Sequence, residues 1–227
     1  MAMNLSYHGD DVCTAYSDFI GVNGTALRLP FVTKDQSAAG APTLGHATGT
    51  LNGELLYQHA ADNENEIIGV TFGDAVCIPA TAGVTFEARV KLAASGGAWA
   101  STRRAVIGLA AAHNNDLDAI AQQAWFLVGN AASFSLFVES DDGTTNTDDQ
   151  DTGETIDDDE YHTYQIMMDD TSNIKFVFDG VVVGETSASD FTSSHLLQPY
   201  IVIEKDSGTT TDSLEIDYCR VTWRRDA

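Results

Sequence analysis

Two carboxylates near the C-terminus, Glu215 and Asp217, have the residue types and the spacing for acid–base chemistry. Side chains two positions apart on a strand lie on the same face of a sheet, and glycoside hydrolases use a pair of carboxylates to cleave their substrates. The pattern requires a further carboxylate on the same strand, but the next candidate positions hold Cys219 and Arg220. We therefore interpret Glu215 and Asp217 as solvent-facing strand residues and predict that the chain is not an enzyme.

A second group of carboxylates lies in residues 139–160, a run that contains neither Lys nor Arg. Carboxylate oxygens suit calcium, but the order of these residues does not match a D-x-[DN]-x-[DN]-G loop, and acidic loops are usually only solvated. We predict no cofactor and keep calcium as an alternative. Its candidate ligands are Asp141, Asp142, Asn146, Asp148, Asp149 and Asp151.

The other residue types that carry chemistry show no recognisable site. The six histidines are scattered, and the chain has no H-E-x-x-H motif, nucleophile elbow, phosphate-binding glycine loop or dinucleotide fingerprint. The three cysteines are far apart, which predicts buried, reduced thiols. Aromatic residues on strands are mostly core residues. A sugar-stacking platform is the alternative role for Trp99, Trp125, Trp223, Tyr7, Tyr57, Tyr161 and Tyr200.

The chain of 227 residues carries a formal net charge of −23 at pH 7. This charge opposes contact with nucleic acid, whose binding depends on phosphate neutralisation by Lys and Arg. No apolar run approaches the roughly 18 to 20 residues that cross a bilayer, and the N-terminal residues do not form a secretory signal. We predict a soluble protein that binds neither nucleic acid nor membrane.

Alternating apolar residues, separated by Gly, Asn, Asp, Ser or Pro, dominate the chain after residue 50. This period of two is typical of strands with one solvated face, and strands at this spacing indicate an all-β, antiparallel β-sandwich. Residues 51–227 are predicted to form this one domain. The predicted strands are 53–60, 66–72, 84–92, 105–110, 125–128, 133–139, 161–168, 174–178, 181–185, 200–204 and 213–223.

Three local features add detail to this pattern of strands: a hairpin turn, a bulge and a short helix. Asp179 and Gly180 tolerate positive φ and predict a two-residue hairpin turn. The apolar phase of residues 213–223 changes sides, which predicts a bulge or bend near Cys219 and Arg220. Residues 114–124 have helical spacing and predict one short helix.

Residues 1–50 are rich in Gly, Ala and Thr and contain Pro30 and Pro42. We predict an N-terminal extended arm with one or two short strands. Such a segment buries little apolar surface alone, so we expect it to lie against its own sandwich or against a neighbouring subunit.

Six segments in order carry a family resemblance: AVIGLAAAHNNDLDAIAQQAWFLVG, LFVESDDGTTNTDDQDTG, EYHTYQI, IKFVFDGVVVG, LQPYIVIEKDSG and SLEIDYCRVTW. Together they resemble tailed-phage virion proteins with a concanavalin A-like, laminin-G-like jelly roll, which are taken to be capsid decoration proteins. The resemblance covers roughly residues 51–223 and implies no catalytic residues.

The resemblance implies a virion structural protein on the outer surface of the capsid, assembled in the host cytoplasm. Its expected partners are the major capsid protein and sister subunits in a homo-oligomer, with a trimer favoured by the three-fold axes of icosahedral shells. We expect Arg28 and Lys34, in the N-terminal arm, to contact the capsid. The alternative is a lectin-like module that recognises a host-surface glycan, because this sandwich also binds sugars.

Overall fold

The computed structural model describes residues 12–19, 27, 30–47, 53–95, 99, 102–129, 134–169, 173–186, 191–192 and 194–225. These residues form sixteen β-strands and one turn of 3-10 helix at Leu117–Ala119. Within them, no helix is long and apolar enough to span a membrane. The strands are β1 (Val12–Ser17), β2 (Val32–Gln36), β3 (Thr43–His46), β4 (Leu55–Gln58), β5 (Glu66–Thr71), β6 (Ile78–Pro79), β7 (Val84–Ala93), β8 (Arg103–Ala110), β9 (Gln123–Val128), β10 (Ser135–Asp141), β11 (Asn146–Thr155), β12 (Tyr161–Asp169), β13 (Asn173–Phe178), β14 (Val181–Thr186), β15 (Leu196–Lys205) and β16 (Ser213–Arg224).

The strands form two eight-stranded sheets. Sheet I has the order β14-β13-β12-β7-β16-β4-β3, and β1 also pairs with β16. Sheet II has the order β11-β10-β9-β8-β15-β5-β2, and β6 also pairs with β15. All pairings between these strands are antiparallel. The all-β, antiparallel sandwich is therefore confirmed, and each segment predicted to be a strand overlaps one in the structure.

The main core lies between the two sheets and follows from the alternation in the sequence. In β7, every second residue from Val84 to Leu92 is buried, and the residues between them are partly exposed. From sheet II, the ring of Phe126 meets the rings of Tyr164 and Phe176 edge-on, each at 5.3 Å between centroids. Burial of a large apolar side chain stabilises a fold by about 1.5–3 kcal/mol. These ring contacts therefore stabilise the packing of sheet I against sheet II.

The segment before residue 50 contributes three strands to the sheets. β1 pairs with β16, β3 pairs with β4, and β2 pairs with β5. The described part of the predicted arm thus lies against its own sandwich, and residue 50 does not mark where the sheets begin. These strands are short and only partly buried, so their apolar pattern is weak.

The acidic run holds a further strand that the sequence did not predict. β11 pairs with β10 as the last strand of sheet II, although most of its residues are exposed. The short helix predicted at residues 114–124 is only the single 3-10 turn, because residues 123–124 belong to β9. Asp116 caps this turn by accepting a hydrogen bond from the Asp118 backbone N–H.

The hairpin turn and the bulge are both present. Asp179 (φ 47°) and Gly180 (φ 81°) join β13 to β14 in the left-handed conformation that the turn requires. In β16 the extra residue is Asp217, since Ile216 pairs with Val90 and Tyr218 pairs with Arg89. The bulge therefore comes two residues before the predicted position.

A smaller apolar cluster covers the outer face of sheet II. The loop that contains the 3-10 turn packs Leu117 and Ile120 over strands β5, β8, β9 and β15. As a result, the middle of sheet II is buried on both faces. The members of this cluster are Ile67, Val106, Ala110, Leu117, Ile120, Trp125, Leu127, Tyr200 and Val202.

Candidate functional site

The outer face of sheet I carries a continuous set of polar side chains, which we call the polar face. They come from the residues of β7, β12 and β16 that alternate with core residues, so the strand period directs them away from the core. The polar face consists of Glu87, Arg89, Lys91, Tyr161, Gln165, Glu215, Asp217, Tyr218 and Arg220.

Ion pairs tie the acidic and basic residues of the polar face together. The Arg89 guanidinium lies 2.7 Å from the Asp217 carboxylate. The Lys91 Nζ atom lies 3.0 Å from Glu215, which has 17% of its side chain exposed. These two carboxylates, predicted to be solvent-facing strand residues, are thus partly buried and paired. The bulge places Asp217 beside Tyr218, opposite Arg89.

Glu87 is the carboxylate of the polar face that the sequence analysis did not single out. Its side chain accepts hydrogen bonds from the Tyr218 hydroxyl at 3.0 Å and from Gln165 Nε2 at 3.3 Å. It also pairs with Arg220 at 3.0 Å. β16 lacks the further carboxylate that the Glu215–Asp217 pattern requires, but the neighbouring strand β7 supplies Glu87 on the same face. Only the strand pairing reveals this, because the two strands are far apart in sequence.

Tyrosine rings lie among these charges. The Arg89 guanidinium stacks over the Tyr161 ring at 4.4 Å, and the Tyr161 hydroxyl donates to Glu215 at 3.3 Å. Tyr16 of β1 is 44% exposed and lies 6.4 Å from the ring of Tyr218. Burial and the hydrogen bond to Glu87 raise the pKa of Tyr218 to about 12. The Tyr218 hydroxyl therefore stays protonated at neutral pH and keeps its hydrogen bond to Glu87.

A cavity of about 340 Å³ adjoins the polar face. It lies two residues further along β7 and β12. There Thr85 pairs with Met167, next to the pair formed by Glu87 and Gln165. Its lining is mostly apolar and includes the half-buried Trp223. Most of the other aromatic residues considered as a sugar platform are almost fully buried: Trp99 and Tyr57 lie in the main core, and Trp125 and Tyr200 lie in the smaller cluster on sheet II. Tyr7 lies outside the described residues.

A second cavity, of about 290 Å³, lies on the outer side of sheet II and is called here the acidic trough. Four of the calcium candidates line it: Asp141, Asn146, Asp148 and Asp149. The remaining lining residues are Arg104, Asp118, Gln123, Leu127 and Glu139.

A bulge in β11 brings the acids of the trough together. Val138 pairs with Gln150 and Ser140 pairs with Thr147, so Glu139 faces both Asp148 and Asp149. Asp149 has a φ of 48°, a conformation that Asp adopts more readily than most residues. Asp148 and Asp149, in the bulge of β11, therefore lie opposite Glu139 of β10.

Glu139 is the most buried carboxylate of the trough, with 8% of its surface exposed. It accepts a hydrogen bond from the Trp125 indole N–H at 2.6 Å. Burial, together with the adjacent Asp149 and Asp148, raises the pKa of Glu139 to about 8. At neutral pH this carboxyl group is therefore mostly protonated.

Two calcium candidates lie outside the trough. Asp142 is 2% exposed and caps a turn by accepting hydrogen bonds from the Thr144 and Thr145 N–H groups. Asp151 accepts from the Gly153 N–H at 2.8 Å. Among the described residues, no three His, Cys, Asp or Glu side chains form a group that could hold a metal ion. Calcium therefore stays an untested alternative to the prediction of no cofactor.

The other sites named from the sequence have the following positions. Lys34 lies on β2, close enough to His113 that its charge, after burial, lowers the pKa of that imidazole. Arg28 lies outside the described residues. Of the cysteines predicted to be buried thiols, only Cys219 is buried, while Cys13 is half-buried and Cys77 is exposed. None of the three is in a disulfide bond.

No protein-family model and no curated protein matches this sequence. The fold resembles the endo-β-1,3(4)-glucanase SCLam of family GH16 (TM-score 0.60, 11% identity, 98% of this chain and 95% of that chain). It also resembles the carbohydrate recognition domain of Emp47p (TM-score 0.57, 13% identity, 96% and 99% of the two chains). A third similar structure is the carbohydrate esterase of the Shiga toxin-encoding bacteriophage phi24B (TM-score 0.50, 15% identity, 85% and 90%). The fold is thus a concanavalin A-like jelly roll, as predicted.

These comparisons correct the prediction that the chain is not an enzyme. Two of the proteins with this fold, the glucanase and the esterase, are enzymes. The prediction relied on the missing carboxylate of a single strand, whereas the sheet brings Glu87 to the same face as Glu215 and Asp217. The prediction is therefore wrong, because one strand does not decide whether a sheet face carries a set of carboxylates.

Proposed function

We propose that this protein binds carbohydrate on the polar face of sheet I and in the adjoining cavity. The observation that carries the proposal is the set of tyrosine rings and paired charged groups on one accessible sheet face. Sugar hydroxyls both donate and accept hydrogen bonds, and the apolar faces of sugar rings stack on aromatic side chains. Arg89, Asp217 and Tyr161 offer all three kinds of contact. The glucanase and the carbohydrate recognition domain that share this fold support the same ligand class.

A glycan array followed by calorimetric titration with the best glycan tests this proposal. Tyr161→Leu removes the ring under Arg89, and Arg89→Gln removes the charge that pairs with Asp217. We expect each variant to lose at least about fivefold in affinity, since a stacking or charged hydrogen-bond contact contributes about 1 kcal/mol or more. Glu154→Gln, an exposed change on β11 in the other sheet, is the matched control. A reducing-sugar assay on the same glycans measures cleavage.

The result that contradicts the proposal is unchanged affinity in both Tyr161→Leu and Arg89→Gln, or no glycan bound at all. Urea unfolding of each variant must give a free energy close to that of the wild type. This control separates a lost contact from a lost fold.

We propose, second, the setting that the sequence resemblance implies: a protein on the outer surface of a phage capsid that contacts the major capsid protein. A specific observation supports a docking role. Val181 and Val182, at the start of the terminal strand β14, are 61% and 53% exposed. Large apolar side chains exposed at the outer edge of a sheet are available to contact a partner protein. Docking through Arg28 and Lys34, and a trimeric state, stay predictions.

Co-sedimentation with purified capsids tests the second proposal. We expect Val181→Ser combined with Val182→Ser to reduce the bound fraction, with Met167→Ser, an exposed apolar residue of sheet I, as control. Undiminished binding of the double variant would exclude this docking surface. Deletion of residues 1–50 is unsuitable as a test, because it removes β1, β2 and β3 from the sheets.

A further inference from the structure

The acidic trough contains more negative than positive groups. Its lining includes Glu139, Asp141, Asp148 and Asp149, and Arg104 is its basic residue. The Arg104 guanidinium is already engaged, since it bonds to Glu204 and lies 2.7 Å from Asp118. Among the described lining residues, no cation is therefore left to balance the carboxyl groups of Glu139, Asp141, Asp148 and Asp149. Carboxylates that share a site repel one another, and a positively charged ligand would relieve this repulsion.

A buried acceptor in the same trough independently indicates a donor. Gln123 is 5% exposed, its side chain lines the trough, and its Oε1 atom has no hydrogen-bond partner among the described residues. Gln123 lies on β9, directly opposite Asp141 of β10. A buried amide oxygen without a donor costs about 1–3 kcal/mol. A ligand that donates hydrogen bonds to this atom would remove that cost.

The size and shape of the trough favour an organic cation over a metal ion. A calcium ion requires six to eight oxygen atoms at about 2.3–2.6 Å, and the described carboxylates form no group of three that meets such a requirement. The cavity of about 290 Å³ also extends along the strands from Gln123 to the apolar side chain of Leu127. It therefore offers polar acceptors together with an apolar wall, which suits an ammonium group on an alkyl chain.

We propose that the acidic trough binds an alkylammonium group, as carried by a polyamine or by a lysine side chain. The ammonium group donates to the carboxylates of Glu139 and Asp149 and to Gln123 Oε1, and its alkyl chain lies against Leu127. This site is on the opposite outer face from the polar face, so it is independent of carbohydrate binding.

Calorimetric titration with spermidine, with a tri-lysine peptide and with calcium chloride tests the proposal at matched ionic strength and pH 8.5. We expect spermidine or tri-lysine to bind, and the one that binds more tightly identifies the source of the ammonium group. Asp149→Asn and Glu139→Gln should each weaken this binding at least tenfold. Glu154→Gln removes one charge from the same strand outside the trough and should leave the affinity within twofold of the wild type.

The pH dependence gives a second readout. Glu139 faces Asp148 and Asp149 of β11, the Trp125 N–H of β9, and the other charged lining residues Asp141, Arg104 and Asp118. Because its pKa is about 8, a bound ammonium group must displace a proton below that pH. The affinity for the amine should therefore rise from pH 6.5 to 8.5 in the wild type and stay nearly constant in Glu139→Gln.

Three results would overturn the proposal. Binding of calcium but of neither amine would assign the trough to a metal. An equal loss in Glu154→Gln and Asp149→Asn would show general attraction to an acidic surface. No binding of any of the three probes would leave the carboxylates without a ligand of this class.

Discussion

Lys205 is a charged residue that the fold buries completely at the end of β15. Its ammonium group lies 3.1 Å from the Glu66 carboxylate, and neither side chain is exposed. It also donates to the backbone carbonyl oxygens of Ala60 at 2.6 Å and Asp62 at 2.9 Å. A single side chain thereby holds the loop between β4 and β5 against the end of sheet II.

We expect Lys205→Met to destabilise the protein by about 3–5 kcal/mol, because the change leaves the buried Glu66 without its partner. Urea unfolding followed by tryptophan fluorescence measures the loss. Arg220→Met breaks an ion pair whose arginine side chain is 46% exposed, and it should cost at most about 1 kcal/mol. Equal losses in the two variants would contradict the argument that burial sets the cost.

At the scale of residues, the sequence predicts which way side chains point better than it predicts which residues meet. The alternation of β7 places Glu87, Arg89 and Lys91 on the solvated face, as the structure shows. Their partners come from β12 and β16, which are remote in the chain. The ion pair between Arg89 and Asp217 also depends on the bulge in β16. The polar face was therefore predictable strand by strand, but its network of contacts was not.

At the scale of elements, the bulge at Asp217 marks the point where β16 changes neighbours. Residues before it pair with β4, and residues from Cys219 onward pair with β1, while β7 pairs with both halves. The extra residue shifts the phase of the strand, so that Ile216 and Cys219 both face the core. The change of apolar phase was visible in the sequence, but its exact position depends on the pairing with β7.

A pair of single-residue deletions tests this role of the bulge. Deleting Asp217 leaves Ile216 opposite Val90 and Tyr218 opposite Arg89, which is ordinary pairing. We expect this variant to fold, with a loss of about 1–2 kcal/mol from the missing ion pair and the changed bend. Deleting Arg220 instead turns Val221 toward solvent and should prevent folding, since a one-residue slip exchanges the two faces of a strand. Circular dichroism and thermal unfolding distinguish the outcomes. Similar stability of both deletions would contradict the assigned position.

β11 shows where sequence patterns fail at this scale. Its residues are polar, and the strand forms because β10 offers a free edge with which it can pair. An alternation of apolar residues indicates that one face of a strand is buried, and it does not indicate hydrogen bonding between strands. An exposed terminal strand therefore has no apolar pattern by which the sequence could reveal it. The same reasoning applies to β2 and β3, which are terminal strands of their sheets and were predicted only as parts of an arm.

At the scale of the whole molecule, two buried groups give the stability opposite dependences on pH. Burial raises the pKa of Glu139 from 4.5 to about 8, so its contribution to stability is lost as the pH rises through this range. Burial, with the nearby charge of Lys205, lowers the pKa of His59 from 6.5 to about 4, so its contribution is lost as the pH falls. Between pH 6.5 and 8 only the first of these two effects operates.

We therefore expect the free energy of unfolding to fall between pH 6.5 and 8 by about 1–2 kcal/mol more in the wild type than in Glu139→Gln. Urea unfolding at half-unit pH intervals measures this difference. Glu154→Gln, which removes an exposed carboxylate from the same region, should keep the wild-type slope. Parallel curves for the wild type and Glu139→Gln would show that Glu139 ionises normally in the folded protein.

The acidic composition of β11 has a consequence for how copies of this protein coexist. The outermost strand of a sheet presents backbone groups to which a strand of another molecule can add, and repeated addition produces an endless ribbon. Here that rim carries Asp148, Asp149, Asp151 and Glu154 and no basic residue. When the β11 edges of two molecules approach each other, their carboxylates repel before the backbones can form hydrogen bonds. The acidic residues that make this segment resemble a loop thus prevent two molecules from joining their sheets through the β11 edge, even at high concentration.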